Sequence, residues 1–276
     1  MSQLIVYSKE PFSTLKEGVD EVAIGIEGLT MGYLPKYPLS VIKEVKCAQI
    51  VCNRFFFPEE MAFLETSLQQ FKDDAVKSIL FSDPAVYTLA SKIGLVDKLV
   101  YDPSTLMTNS MDVSWWHKQG IKAVSISPLL TYEEIQMILE KVPNCELTIH
   151  GNILMAMSKR PLLSAYQEGL MGKEQLSITE ENRDAKMPIY EDEDGTYVYS
   201  DYILTSFSFM KELKRIEGLR YVIHGEWMEE EMLKDTIHAY QAILNGEEMD
   251  AIANAYQEKY HAYPLGSGYY KEKTIK

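Results

Sequence analysis

Eight short runs rich in aliphatic residues, most of them followed by a stretch of helical period, constrain this chain more than any other feature. They are LIVY (Leu4 to Tyr7), EVAIGI (Glu21 to Ile26), AQIVC (Ala48 to Cys52), VKSILF (76–81), DKLVY (97–101), IKAVSIS (121–127), CELTIH (145–150) and LRYVIH (Leu219 to His224). A strand that hands over to a helix returns to the sheet parallel to its predecessor. Eight such units predict an α/β fold, a TIM-type (β/α)8 barrel, with a doubly wound open sheet as the alternative. Neither common glycine-rich phosphate loop is present, which argues against the nucleotide-binding versions of both folds.

The helical signals agree. A short helix is expected around Ser13 to Gly18. Met61, Leu64, Leu68 and Phe71 share one helical face. Asp83-Pro84 is a cap followed by a first-turn proline, and Thr131-x-x-Glu134 is a capping box. Met232, Leu233, Ile237, Tyr240 and Leu244 mark an amphipathic helix that would cover the barrel.

Residues 152–218 form an oversized connection before the last strand. Within it, MPIYEDEDGTYVYS has the pattern of a hairpin turning at Asp194-Gly195. Its acidic run, Glu191 to Asp194, lacks calcium-loop spacing and is expected to be a solvated turn. With no repeat or linker, a single domain over 1–276 is expected, and a chain that is 46% hydrophobic can bury a large core. The chain has no membrane-length apolar run, and its first residues lack a signal-peptide layout. Cys47, Cys52 and Cys145 are sparse and unclustered, as expected of buried thiols in a cytoplasmic protein. The net charge of −14, from 41 acidic and 27 basic residues, argues against a protein that grips nucleic acid alone. The local basic groups are Lys159 with Arg160, then Lys211, Lys214, Arg215 and Arg220, then Lys271, Lys273 and Lys276.

In a parallel barrel, functional groups sit where strands end. The candidates there are Asn53, Arg54, Ser82, Asp83 and Asp102; then Ser104, Thr105 and Ser127; then His150, Asn152, His224 and Glu226. Two strands end alike, in TIHG and VIHG. A closed barrel would set them side by side, with His150 and His224 at one mouth as acid, base or metal ligand. Strand-end histidines bonded to backbone are the commoner alternative. A metal site would need a third ligand, for which Glu226 is the candidate, and none is expected. No His-Glu-x-x-His or Gly-x-Ser-x-Gly occurs. The Ser-x-x-Lys pairs Ser13/Lys16 and Ser40/Lys43 lack partner groups. His117, His238 and His261 are expected on helix or loop surfaces.

LKEGVDEVAIG is similar to the AGADAVYLG that opens the peptidase U32 family. Asn53 matches the asparagine after that family's third strand. PSTLMTN resembles its ASTQMNI, LTYEEI its LSLEEI, IHGN its VHGA and PLLS its CLLS. The hairpin and the ending GYYKEKTIK are also similar. The order and spacing of these segments resemble U32 nearly end to end, which implies the family's barrel. The family signature approximates HGALCxxYSGxCLLS, with further cysteines downstream, and in family members these hold an iron–sulfur cluster. Here Leu154 and Pro161 take the first two cysteine positions, ENRDAKMPIY has none, and no cysteine follows Cys145. No iron–sulfur cluster or other cofactor is expected. Pro128-Leu129 replaces a family Arg-Glu, while Val222, His224 and Glu226 replace a Lys, Glu and Arg.

The resemblance implies tRNA wobble-uridine hydroxylation with prephenate involved, or ubiquinone hydroxylation by paired barrels. Some bacteria carry a short and a longer member together. The expectation is therefore a non-cluster subunit that binds a longer cluster-bearing paralogue and meets tRNA through it. A small anionic metabolite would be held by Arg54, Lys159, Arg160 and the two histidines, with Asn53, Ser104, Thr105 and Asn152 as further ligand contacts. The alternatives are a collagenase-like peptidase and a non-catalytic small-molecule-binding barrel. Whether the chain is an enzyme stays open, with His150, His224 and Glu226 as catalytic candidates. No membrane partner is expected.

Overall fold

The computed structural model describes residues 2–179, 181 and 185–271. Part of ENRDAKMPIY (182–184) and the last residues of the ending GYYKEKTIK (272–276) lie outside the described residues. The eight expected strands are all present: β1 (Gln3–Tyr7), β2 (Glu21–Ile26), β3 (Ala48–Cys52), β4 (Val76–Phe81), β5 (Leu99–Tyr101), β6 (Ala123–Ser125), β7 (Cys145–Gly151) and β8 (Arg220–His224). Each pairs in parallel with the next. β8 pairs with both β7 and β1, which closes the barrel. The open-sheet alternative is thereby excluded, because that fold leaves two unpaired edges.

Strand alternation divides the apolar residues between two cores. Val6, Ile24, Ile50, Ile79, Leu147 and Tyr221 pack with the helices in one large cluster. Ile5, Tyr7, Ala23, Val51, Leu80 and Val222 form a second cluster, filling the barrel. Towards the N-terminal ends of the strands the filling becomes ionic. Arg220, 3% exposed, donates through Nε to Glu146 (3.0 Å) and through Nη1 to Glu21 (2.9 Å). Gln49 donates to the same Glu146 oxygen at 3.0 Å, and Ser78 donates to Glu21. A buried guanidinium without such partners would cost several kcal/mol. Here every arm of the fork is occupied.

The helices begin where the chain supplies caps. They are α1 (Met61–Gln70), α2 (Pro84–Ile93), α3 (Ser110–Lys118), α4 (Tyr132–Leu139), α5 (Glu230–Leu244) and α6 (Met249–Lys259). The Asp83 side chain accepts from the Ala85 N–H at the head of α2. Both halves of the Thr131/Glu134 capping box are made at α4. α5 buries Met232, Leu233, Ile237 and Tyr240 against the barrel. The expected early helix is Pro11–Thr14, tightened by a 3-10 turn over Leu15–Glu17 and stopped at Gly18 with φ +75°.

Between β7 and β8 the long connection builds a separate antiparallel sheet. Its strands are Leu154–Ser158, Lys186–Asp192 and Gly195–Tyr199, with Ser177–Thr179 at the edge. The hairpin turns where its pattern says, with Asp192 opposite Gly195. Its acidic run is only partly a solvated turn: Glu193 is exposed there, but the two residues before it are not. Glu191 and Asp192 are buried because each carboxylate ties neighbouring segments together. Glu191 accepts from the Leu163 N–H (2.7 Å) and the Thr196 hydroxyl (2.8 Å). Asp192 takes Lys36 Nζ at 2.7 Å and the Tyr197 hydroxyl at 3.1 Å. Ile203–Thr205 then returns to pair with the end of β7, opposite His150 and Gly151. No helix among the described residues is long and apolar enough to cross a membrane.

Candidate functional site

The matched strand ends do not place their histidines together. The β7–β8 register shifts by one residue: Val222 pairs with Thr148, but Ile223 pairs with His150. Ile149 is the extra residue of a bulge, and one extra residue inverts the side-chain alternation beyond it. Ile149 and His150 therefore both face the helices, and His150 is fully buried. Its Nδ1 lies 3.2 Å from the Tyr240 hydroxyl of α5, and its Nε2 lies 3.2 Å from the Tyr256 hydroxyl of α6. Burial without a charged partner drives its pKa down to about 3, so the ring is neutral. The expectation that His150 shares the mouth with His224 is corrected, for this reason of register.

His224 keeps the inward parity. Its ring packs 4.6 Å from that of Tyr7, and its Nδ1 lies 3.3 Å from Glu226 Oε1. Burial opposes its charge, but the Glu226 carboxylate outweighs burial, helped by Asp102 and Glu146, so the pKa is raised above the ordinary imidazole value. Among the described residues nothing bonds Nε2. Glu226 is 6% exposed, and its Oε2 has no partner. Tyr7 anchors this pair to the ionic layer: its hydroxyl donates to Gln49 Oε1 at 3.1 Å, and Gln49 donates to Glu146. Burial raises the pKa of the Glu146 carboxyl against the pull of Arg220. Glu21, despite burial, is held low by Arg220 and Lys122.

Above His224 opens a cavity of about 480 Å3, roofed by the insertion strand Leu154–Ser158. Of the sequence candidates, Asn53, Ser104, Thr105, Asn152, His224 and Glu226 line it, as do Ser82 and Asp102. Burial raises the pKa of the Asp102 carboxyl, against the Ser104 N–H that bonds it. Asn53 is already committed, accepting from the Met31 N–H (2.9 Å) and donating to the Met31 carbonyl (3.3 Å). Asn152 donates to the Ser200 and Tyr202 carbonyls. Asp83 caps α2, and Ser127 is buried and accepts from the Leu129 N–H.

The three basic candidates are not in the lining. Arg54 is paired with Glu60 (3.0 Å) and Asp194 (2.8 Å). Lys159 and Arg160 are exposed on the turn after the roof strand. Among the described lining residues a small anion would thus meet two carboxyl groups, Asp102 and Glu226, and one side chain that can turn cationic, His224. The residues that sequence reasoning missed are aromatic: Tyr7, Tyr33, Tyr197 and Tyr199 line the cavity. Tyr33 also stacks on Trp227 with ring centres 3.8 Å apart. Only the aromatic letters of the hairpin hinted at them.

What this arrangement can do is move a proton at His224 Nε2, with Glu226 orienting the ring. Ser82 donates to the Asp102 carbonyl, so it is not an activated nucleophile. An iron–sulfur cluster, implied by the family pattern, does not fit these donors. Leu154 lines the cavity where a cysteine would stand, and Pro161 is exposed. The thiols of Cys52 and Cys145 are buried on β3 and β7, and burial pushes that of Cys145 up to about 12. Among the described residues no cluster of three or more His, Cys, Asp or Glu is arranged to hold a metal.

The profile of Peptidase family U32 matches residues 15–274. The tRNA hydroxylation protein P2 of Bacillus subtilis (strain 168) is 27% identical over 181 residues, covering 62% of this chain and 59% of that protein. The tRNA hydroxylation protein P of Escherichia coli (strain K12) is 26% identical over 175 residues, covering 56% of this chain and 38% of that protein. The match thus spans less than two thirds of either relative. A solved structure titled "The Structure of the U32 Peptidase Mk0906" aligns with a TM-score of 0.48 and 14% identity, covering 81% of this chain and 92% of that one. With the family profile spanning nearly its whole length, the chain belongs to peptidase family U32.

Proposed function

We propose that this chain is a U32 subunit without the family's iron–sulfur cysteines, and that it supports prephenate-dependent hydroxylation of the tRNA wobble uridine together with a longer, cluster-bearing U32 chain. The observation that carries this reading is the similarity to the tRNA hydroxylation proteins P2 and P, over 62% and 56% of the chain. The mouth adds a division of labour. Among the described residues it offers one histidine–carboxylate pair and no thiol, which supports assigning electron transfer and the anionic metabolite to the partner in this reading. A peptidase reading has no support in the site, because among the described residues no serine or cysteine pairs with a histidine there. A small-molecule-binding role is favoured by one feature, the 480 Å3 cavity.

The test is nucleoside mass spectrometry of tRNA from a strain lacking this chain, with any second hydroxylation pathway disabled. Loss of 5-hydroxyuridine derivatives, restored by the wild-type gene only when the longer chain is present, is the expected result. Unchanged modification in that background would remove the tRNA reading and leave ligand binding in front.

A further inference from the structure

We propose that the rim beside the cavity, built from Phe55, Phe57, Lys159 and Arg160, is a contact surface for single-stranded RNA. The segment after β3 is firmly held. The Arg54 N–H donates to the Leu29 carbonyl (3.2 Å), the Phe56 N–H to Asp83 (2.9 Å) and the Phe57 N–H to Glu60 (2.9 Å). Phe56 packs on the core, yet its neighbours Phe55 and Phe57 are 40% and 55% exposed. A rigid segment that presents two aromatic rings to solvent forgoes the burial it could have had. That is the usual mark of a binding surface.

Lys159 Nζ sits 5.5 Å from the Phe55 ring centre and 4.9 Å from that of Phe57. Among the described residues no carboxylate pairs with Lys159 or Arg160, whereas Glu60 and Asp194 are taken up by Arg54. Exposed rings with an ammonium over them, and Arg160 exposed next along the chain, can stack bases and meet the flanking phosphates, although Lys159 also acts on the Glu60 carboxylate. Duplex recognition would need a broad basic stripe, which a chain of net charge −14 does not offer. A loop with unstacked bases is the form of RNA that fits. Phe55 and Met157 also line the cavity, so a strand lying on these rings passes its entrance.

The identity of the RNA rests on the tRNA reading; the surface itself does not. The test is fluorescence anisotropy of the full chain with a labelled anticodon stem-loop RNA and with the same RNA annealed to its complement. The stem-loop binds more tightly than the duplex. Combining Phe55→Ala with Phe57→Ala weakens it by about tenfold or more, and Phe57→Trp retains it. Lys159→Gln lowers the slope of log K against log salt by about 1. Trp115→Ala, at an exposed aromatic on α3 outside the rim, behaves as wild type. Equal binding of the duplex, or wild-type binding by the double variant, overturns the proposal. So does a double variant that keeps RNA binding but no longer co-purifies with a longer U32 chain, since the rim is then a protein-docking face. In the deletion strain, equal rescue by the double variant and wild type sinks the rim alone. Modification that survives the deletion sinks the tRNA reading, and the anisotropy still decides the rim.

Discussion

β7 and β8 end in the same letters, Ile-His-Gly, lie side by side in the barrel wall, and send their histidines to opposite faces of it. At β8 the alternation is regular, so His224 stands over the barrel interior beside Glu226, with a raised pKa. At β7 the bulge at Ile149 turns His150 outward between two tyrosine hydroxyls, with a pKa pushed down to about 3. The same side chain is a carboxylate-paired group facing the cavity in one place and a neutral packing and hydrogen-bonding element in the other. Backbone parity, not residue type, decides which. The glycines differ too. Gly151 has φ +114°, and a Cβ there would collide with the backbone of His224, whereas at Gly225 a Cβ would collide with the Leu233 side chain and the Tyr7 carbonyl.

The largest expected effect comes from breaking the seam itself. Gly151→Ala forces the two strand ends apart and costs about 3 kcal/mol or more, read by urea unfolding. Next is His150→Leu. It leaves the Tyr240 and Tyr256 hydroxyls without the ring and costs about 1–3 kcal/mol. His150 also sets an acid limit. Its native pKa of about 3 lies below the ordinary imidazole value, near 6.5. The unfolded chain therefore takes up a proton that the native state refuses, and stability that is complete above about pH 6.5 is lost as pH falls towards 3. Denaturation midpoints across that range should fall less steeply for His150→Gln than for wild type.

His224 has the opposite sign. Its contribution is full below about pH 6.5 and is lost as pH rises through its raised native value. In Glu226→Gln the His224 imidazole, followed by NMR, should titrate at lower pH than in wild type. If its titration does not move, Glu226 is not what holds the proton there. His224→Ala leaves the buried Glu226 carboxylate without its partner and costs about 1–3 kcal/mol, read by the same unfolding.

The barrel was legible because each strand is marked by its own apolar run and most are marked again by the helix signal that follows. The capping box at Thr131 and Glu134 and the hairpin over 186–199 were legible for the same local reason. The bulge was not. CELTIH alternates apolar and polar letters, a period that puts His150 on the inward face with Glu146 and Thr148, and no letter marks the extra residue at Ile149 that turns it outward. The ionic layer was hidden likewise, because Glu21, Glu146 and Arg220 are single charged letters at the edges of apolar runs and meet only when the barrel closes. Long-range pairing also emptied the expected anion site. Arg54 is neutralised by Asp194 from the hairpin, a partner that no local pattern could supply.

The account turns on His224, and not His150, being the working group of the mouth. The most direct test is nucleoside mass spectrometry of tRNA from the deletion strain, re-expressing His224→Ala or His150→Gln at levels matched to wild type. The account predicts that His150→Gln restores 5-hydroxyuridine derivatives and His224→Ala does not. Restoration by His224→Ala to the wild-type level would contradict it.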